Sequence, residues 1–218
     1  MTIDFGSDTA SALGPLPRGR HKLSPETVRE SQRQRLLRAM LESVGERGYD
    51  ATSVPEVVAL AKVSRNAFYE LFADKLDCFL VLCESLAQQL LAEVFAPRGF
   101  DDWREAVRDG ARRYLSHWQS RPLFARAYLI ELPTAGAPAL LQRAQAYELF
   151  SQQFEVVARW ARRQEPDLAP LHPRAARFLV WSITELVTAE VAADRGDSLM
   201  TLEDEIVWLI ERLLAERA

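Results

Sequence analysis

The sequence lacks the residue clusters on which most catalytic and metal sites depend. Its 218 residues include three histidines and two cysteines, Cys78 and Cys83, which lie in one apolar segment. The cysteine spacing fits neither a metal site nor a disulfide framework. A glycine-rich phosphate loop, a nucleophile elbow and paired metal ligands are also missing. We therefore expect a protein that is not an enzyme and that needs no metal or cofactor.

Membrane and export signals are missing as well. The sequence contains no run of about 18 apolar residues, the length that a membrane span needs. Residues 1–17 have no basic start followed by an apolar stretch, which a secretion signal would have. Because no signal directs the chain to an oxidising compartment, we expect a cytoplasmic protein without a membrane partner.

Charge is unevenly distributed along the chain, although the net charge is only −4. The stretch from Arg18 to Arg38 has seven basic residues against two acidic ones, whereas residues 76–218 have 16 basic against 21 acidic. A basic head can meet nucleic-acid phosphates while an acidic body stays away from them. The alternative is a solvated basic helix face, and charge alone does not decide between the two.

Hydrophobic periodicity indicates an all-α protein of about nine helices. Apolar residues recur every three or four positions, and no segment shows the period-two alternation of a strand. Residues 1–17 lack periodic apolar positions and are expected to be a disordered leader. Glycine and proline mark the breaks between helices at roughly 25–47, 53–60, 64–71, 74–95, 101–119, 122–132, 137–164, 172–193 and 201–216.

Two short predicted helices between Tyr49 and Lys75 have helix-turn-helix length. In the first, Ser53 with Glu56 predicts a capping box, and Pro55 lies in the first turn, where its missing N–H costs nothing. In the second, Ser64 is the predicted N-cap, and two phenylalanines four residues apart face the core. The hydrogen-bonding side chains left outside, which suit a major groove, are Arg65, Asn66 and Tyr69. An ordinary helical hairpin is the alternative.

The residues from Arg33 to Lys75 resemble the DNA-binding region of the TetR family. The likeness lies in a long first helix (RQRLLRAMLESVGERGYDATSV), a positioning helix (PEVVALA) and the string VSRNAFYELFADK. The segment LPRGRHKL before them is similar to one branch of that family. The resemblance implies a leader and basic arm over 1–22, a three-helix DNA-binding domain over 23–75, and a helical ligand-binding and dimerisation domain over 76–218.

The resemblance also assigns roles to single residues. Hydroxyl and ammonium groups hold the register on phosphates, whereas arginine pairs with guanine and asparagine with adenine. On this basis Arg65 and Asn66 face base edges, and the remaining implied contacts are to the DNA backbone. The implied DNA-binding residues of the folded part are Thr52, Ser64, Arg65, Asn66, Tyr69 and Lys75. For Tyr69, half-buried packing on the helix surface is the alternative.

Two positions depart from the family's usual string. Lys62 stands where a glycine commonly makes the turn, so a left-handed backbone is expected there at a cost of about 1 kcal/mol. Leu71 replaces a polar or aromatic residue that often touches DNA, which removes one phosphate contact. In the preceding arm, Arg18 and Arg20 either follow a groove or add only non-specific attraction.

Aromatic residues after residue 76 fall on helix faces that could line one cavity. In the family such a cavity binds an apolar or amphipathic effector, and binding moves the fourth helix. Core packing is the alternative for each aromatic, and a surface or hydrogen-bonded position is the alternative for the two polar members. The predicted ligand-binding residues are Tyr114, His117, Trp118, Phe124, Tyr128, Tyr147, Phe150, Phe154, Trp181 and Glu185. Cys83 is either an oxidation sensor or a small buried thiol.

The last two predicted helices have broad apolar stripes that need covering. A two-fold partner that covers them makes a four-helix interface. The predicted interface residues are Phe178, Ser182, Leu186, Ile206, Leu209, Ile210 and Leu213.

Together these patterns predict a DNA-binding transcriptional regulator. The resemblance implies a repressor that binds a palindromic operator as a homodimer and is released by a small apolar or amphipathic effector. A helical adaptor or scaffold without sequence-specific DNA binding is the rival. It would leave the basic first helix and the polar face of the second short helix without a purpose.

Overall fold

The computed structural model describes residues 24–215, which are mostly helical and contain no β-strand. The predicted leader and arm at residues 1–22, including Arg18 and Arg20, lie outside this range. The α-helices of the described part are α1 (Pro25–Arg47), α2 (Val54–Ala61), α3 (Arg65–Leu71), α4 (Lys75–Val94), α5 (Trp103–Gln119), α6 (Pro122–Ala125), α7 (Ala137–Gln164), α8 (Ala175–Ala192) and α9 (Glu203–Leu214). The predicted all-α fold of about nine helices is confirmed.

The chain after α5 departs from the single helix predicted over 122–132. Helix α6 has only four residues and leads into a π-helical turn, Arg126–Glu131, followed by a 3₁₀ turn, Leu132–Thr134. Apolar spacing cannot separate these forms, because all of them place apolar residues three to five positions apart. A second 3₁₀ turn, Gly196–Leu202, precedes α9.

Local capping sets the ends of α1. The Ser24 hydroxyl accepts a hydrogen bond from the Thr27 N–H at 3.1 Å, and Pro25 occupies the first turn. At the other end, Gly48 takes a φ of +89°, which only glycine adopts without strain. These caps place the chain reversal between α1 and α2 where the sequence predicts it.

Helix α1 forms the floor on which α2, α3 and the start of α4 pack. Its Leu36 and Met40 are fully buried, as are Val57 of α2, Phe68 of α3 and Phe79 of α4. Burying large apolar side chains from all four helices in one cluster gives a rigid unit. The short helices α2 and α3 are held by this packing, since isolated helices of their length are unstable in water.

The remaining helices form a second bundle. Helices α5 and α7 run antiparallel, because Trp103 at the start of α5 donates its backbone N–H to Gln164 Oε1 at 3.1 Å and its indole N–H to Glu165 Oε1 at 2.9 Å. Helix α8 packs on α7, and α9 packs on α5. No helix within residues 24–215 combines the length and the hydropathy of a membrane span.

The backbone of α1 at Gly45 lies against the Leu123 side chain of α6. A Cβ atom placed on Gly45 would lie 2.9 Å from Leu123 Cβ, closer than real Cβ contacts come. Only glycine therefore permits this approach, which joins α1 to the second bundle.

Candidate nucleic-acid interface and internal cavity

Helix α2 begins as the sequence predicts. The Glu56 carboxylate accepts hydrogen bonds from the Ser53 N–H at 3.0 Å and from the Ser53 hydroxyl at 2.9 Å. These bonds and the ion pair with Arg47, 2.7 Å away, lower the pKa of Glu56. The start of α2 is therefore fixed by local side chains.

The turn between α2 and α3 confirms the predicted left-handed residue. Lys62 has φ 52° and ψ 45°. Arg35 of α1 donates to the carbonyl oxygens of Ala61 and Lys62, both at 3.2 Å, and so satisfies groups that the helix end leaves open. Arg29 likewise donates to the Glu70 carbonyl at 3.0 Å. Two basic residues of α1, Arg29 and Arg35, thus stabilise the helix-turn-helix through hydrogen bonds to its backbone.

Helix α3 presents a polar face and buries an apolar one. The Ser64 hydroxyl accepts from the Ala67 N–H at 3.1 Å, which confirms the predicted N-cap. Phe68 is fully buried and Phe72 is 3% exposed. The side chains on the opposite, exposed face are Ser64, Arg65, Asn66, Tyr69 and the acidic Glu70. With 48% of its surface exposed, Tyr69 is not a core residue.

Two predicted phosphate contacts have other roles in the structure. Thr52 is only 2% exposed, and its hydroxyl donates to the Gly48 carbonyl at 2.9 Å. It stabilises the loop between α1 and α2 and does not lie on the surface, which corrects the predicted contact. The Lys75 ammonium donates to the carbonyls of Tyr49 at 2.9 Å and Thr52 at 3.1 Å. One of its three N–H groups remains for another acceptor.

An apolar cavity of about 440 Å³ lies between α4, α5, α7, α8 and α9. Along α5 it extends from Ala106 to Trp118, which corresponds to about 18 Å of helix. Exposed residues lie at the end near Arg98 and Arg163, which is therefore the mouth. Of the predicted ligand-binding residues, those that line the cavity are Tyr114, Trp118, Tyr128, Tyr147, Phe150 and Phe154.

The other four predicted ligand-binding residues do not line this cavity. His117 is buried behind it, with Nδ1 2.6 Å from Glu93 Oε2, and Phe124 packs beside that histidine. Trp181 is 47% exposed and packs against Tyr147 from outside. Glu185 is exposed and pairs with Arg143 at 2.5 Å. Helical spacing places these residues near the cavity but does not determine which face points inward.

Several lining residues were missed by the sequence analysis. Phe95 and Phe100 follow α4, and Trp160 continues the stripe of Tyr147, Phe150 and Phe154 along α7. The three-to-four-residue spacing of that stripe was the signal that could have identified Trp160. The arginines at or near the cavity are Arg98, Arg113 and Arg163.

Burial controls the chemistry of the cavity walls. It raises the pKa of Tyr147 to about 12, although nearby Arg143 opposes this shift. Burial also raises the pKa of Tyr128 and of Tyr114. All three are neutral at physiological pH. The Cys83 thiol is fully buried and its pKa is raised well above the usual value, which favours the buried-thiol alternative over an oxidation sensor.

The predicted dimer face is only partly exposed. Phe178, Ser182 and Leu186 of α8 lie on its outer surface, with Phe178 65% exposed. Ile206 and Ile210 of α9 are instead buried in the chain's own core, which corrects their assignment to an interface. Leu209 and Leu213 are half-buried. On α9 the large exposed apolar side chain is Trp208, at 60%, which the stripe analysis missed.

Comparison with known proteins agrees with this geometry. Residues 36–82 match the family model for bacterial regulatory proteins of the tetR family. The chain is 22% identical to the HTH-type transcriptional regulator RutR of Escherichia coli K12 over 180 residues, which cover 82% of this chain and 84% of RutR.

Two solved structures share the fold. The fatty acid degradation regulator FadR of Bacillus halodurans has a TM-score of 0.75 at 17% identity, covering 90% of this chain and 100% of its own. FadR of Bacillus subtilis, solved in complex with stearoyl-CoA, has a TM-score of 0.72 at 18% identity, covering 81% and 96%. Like RutR, both are regulators. The family match over residues 36–82, together with the likeness to RutR, supports a TetR-family DNA-binding transcriptional regulator, and the solved structures show that the helical body shares the fold.

Proposed function

We propose that this chain is a repressor that binds an approximately palindromic operator as a homodimer and leaves DNA when an amphipathic effector fills the cavity. The observation that carries the proposal is the face of α3, where Arg65, Asn66 and Tyr69 are exposed while Phe68 anchors the helix in the core. A short helix held this way can enter a major groove. Residues 23–75 form the proposed DNA-binding domain, and residues 76–218 form the ligand-binding and dimerisation domain.

In this proposal the residues of α3 divide the work of recognition. Arg65 and Asn66 contact base edges, because guanidinium and amide groups make paired hydrogen bonds with guanine and adenine. Tyr69 and Ser64 contact phosphates and fix the register. The guanidinium of Arg65 lies 5.7 Å from the centre of the Tyr69 ring, so the two side chains can be oriented together.

The dimer is supported by the large apolar side chains that α8 and α9 leave exposed. On α8, Phe178 lies three residues before Trp181 and eight before Leu186, and all three are exposed, as is Trp208 on α9. Large exposed apolar patches usually mark interaction surfaces. A second copy of this chain is the proposed occupant, since a two-fold axis covers the same face on both copies. That symmetry would set the recognition helices about 34–36 Å apart, or a multiple of it, and would require a palindrome.

The effector class follows from the shape and charge of the cavity. A volume of about 440 Å³ extended over about 18 Å is narrow and suits one extended apolar chain. At the mouth, Arg98 and Arg163 have no ion-pair partner among the described residues and can attract an anionic head group. The complex of Bacillus subtilis FadR with stearoyl-CoA supports the same class of ligand.

Selection of bound sequences from a random duplex pool tests the DNA proposal. The salt concentration should be held near 0.1–0.2 M, because phosphate contacts make affinity steeply salt-dependent. We expect enrichment of a palindrome and release of that DNA when lauric acid is added. Binding that enriches no sequence and vanishes in salt would favour the helical adaptor instead.

A charged substitution on the proposed interface tests the dimer. Phe178→Lys is expected to give monomers in analytical ultracentrifugation and to weaken binding to the full palindrome. Leu141→Lys is the matched control, because Leu141 is also highly exposed, at 67%, but lies on α7. Unchanged dimers in Phe178→Lys would reject α8 as the interface.

A further inference from the structure

The inner end of the cavity carries polar groups far from the mouth. Tyr114, Trp118, Tyr128 and Tyr147 define this inner end, where Trp118 lies about 18 Å along α5 from Ala106 near the mouth. Trp118 packs on Tyr128 with ring centres 5.6 Å apart, and on Tyr114 with ring centres 6.1 Å apart. An alkyl chain alone would need none of these polar atoms, so their presence calls for a separate explanation.

Two aromatic side chains of the inner end each have a polar atom without a hydrogen-bond partner among residues 24–215. These atoms are the indole Nε1 of Trp118 and the hydroxyl of Tyr147, both buried in residues that are 2% and 5% exposed. Each has a polar neighbour, Tyr114 and Arg143 respectively, but neither contact has hydrogen-bond geometry. The Tyr114 hydroxyl, in contrast, donates to Thr184 Oγ1 at 3.3 Å.

Buried polar groups without partners are rare, because leaving one unpaired costs stability. The indole N–H can only donate, and the tyrosine hydroxyl can donate as well. The group that satisfies both must therefore be an acceptor. Among common chemical groups in an apolar ligand, an oxygen atom fits this requirement.

The surroundings favour a neutral oxygen over a carboxylate. Burial disfavours a negative charge at the inner end, as the raised pKa of Tyr128 and Tyr147 indicates. Arg143, which lies over the Tyr147 ring at 5.1 Å, is already paired with Glu185. Arg113, which lines the cavity, is likewise paired with Asp109, so the charge of each nearby arginine is already balanced, although the buried Nε–H of each has no acceptor among the described residues.

We propose that the inner end binds a neutral oxygen atom of the effector, a hydroxyl, carbonyl or ether, which accepts hydrogen bonds from the Trp118 indole N–H and the Tyr147 hydroxyl. The inference rests on the proposed function in one respect, namely that the cavity is the effector site. It narrows the effector class to chains that carry an oxygen function remote from the charged head. A plain saturated chain would leave both donors unpaired.

Calorimetric titration of the full-length protein with lauric acid and with its omega-hydroxy derivative tests the proposal. The wild type is expected to bind the hydroxy acid about tenfold more tightly, since each probe offers the same head group and chain. Tyr147→Phe should remove most of this preference while changing the affinity for lauric acid little. Tyr69→Phe is the control, because it removes a tyrosine hydroxyl at an exposed position of α3 that does not line the cavity.

Equal binding of the two acids by the wild type would overturn the proposal, as would an undiminished preference in Tyr147→Phe. If neither acid binds, the effector class under the proposed function fails, and a fragment pair without an acid decides the inner-end proposal. Cyclohexanone and methylenecyclohexane differ only in carbonyl against alkene. Ligand-observed NMR should detect stronger binding of the ketone to the wild type, lost in Tyr147→Phe, and equal binding would reject the inner-end site.

Discussion

The carboxylate of Glu131 accepts a hydrogen bond from the backbone N–H of Tyr49 at 2.8 Å, which joins the π-helical turn to the loop between α1 and α2. The Tyr49 carbonyl accepts from Lys75 of α4, and the Tyr49 ring stacks on Phe79 at 4.9 Å. This residue is thus held from the second bundle and from α4 together. It lies in the loop that leads to the N-cap of α2, Ser53.

Removing the Glu131 carboxylate is expected to destabilise the protein. Glu131→Ala leaves the partly buried Tyr49 N–H without its acceptor, which should lower the free energy of unfolding by about 1–3 kcal/mol. Glu131→Gln keeps an acceptor oxygen and should recover most of the loss. Urea denaturation measures both, with Glu148→Ala, at an exposed weak ion pair, as the neutral control. A loss in Glu131→Ala no larger than in the control would contradict this role.

Substitutions on α3 are expected to separate base contacts from phosphate contacts. Arg65→Ala should cost about 1–3 kcal/mol of binding free energy and relax preference at one base position, whereas Tyr69→Ala should weaken all sequences about equally. Titrations against the selected operator and its single-base variants at fixed salt measure both effects. A uniform loss with Arg65→Ala would reject it as a base contact.

Lys62→Gly is expected to raise the free energy of unfolding by about 1 kcal/mol, because glycine adopts the left-handed backbone at this turn without strain. Ala59→Gly is the matched control. It lies one turn earlier on the exposed side of α2 and should lower stability by about the same amount. Chemical denaturation measures the free energy of unfolding of both variants and shows whether it rises in one and falls in the other. Equal destabilisation by both glycines would contradict the predicted backbone strain at Lys62.

Stability is expected to fall in mild acid because of His117. Burial lowers the pKa of His117 below its ordinary value of 6.5, with Arg121 adding to the shift and Glu93 opposing it. As the pH falls below about 6.5, His117 therefore becomes protonated in the unfolded chain while it is still neutral in the folded protein. The stability present above that pH is lost as pH falls through the folded pKa.

Urea midpoints between pH 7.5 and about 5 measure this effect. His117→Gln should flatten the dependence, whereas His172→Gln, at an exposed residue, should leave it unchanged. A steeper slope in His117→Gln would mean that Glu93 holds the histidine in its charged form.

Local features of the fold could be predicted from the sequence. Ser64, Gly48 and Glu56 act on backbone within a few residues of themselves, so their caps follow from the order of residues alone. The left-handed turn at Lys62 was likewise predictable. Arg35 was not, because its contacts with the end of α2 join residues 26 and 27 positions apart.

The failures have a common physical origin in tertiary packing. Thr52 has the residue type of a phosphate contact, yet the loop turns its hydroxyl inward to Gly48. On α9 the sequence identifies an apolar stripe, but α5 covers the side that contains Ile206 and leaves Trp208 outside. A helical pattern gives the relative angle of side chains and not the direction in which the helix faces.

The π-helical turn carries a cavity wall and a contact to the DNA-binding region on one short piece of backbone. Tyr128 lines the inner end, and Glu131, three residues later, holds Tyr49. A shift of this short backbone segment would therefore move both contacts together. By thermodynamic reciprocity, if an occupant of the cavity lowers the affinity of the protein for operator DNA by some factor, operator DNA must lower the affinity for that occupant by the same factor.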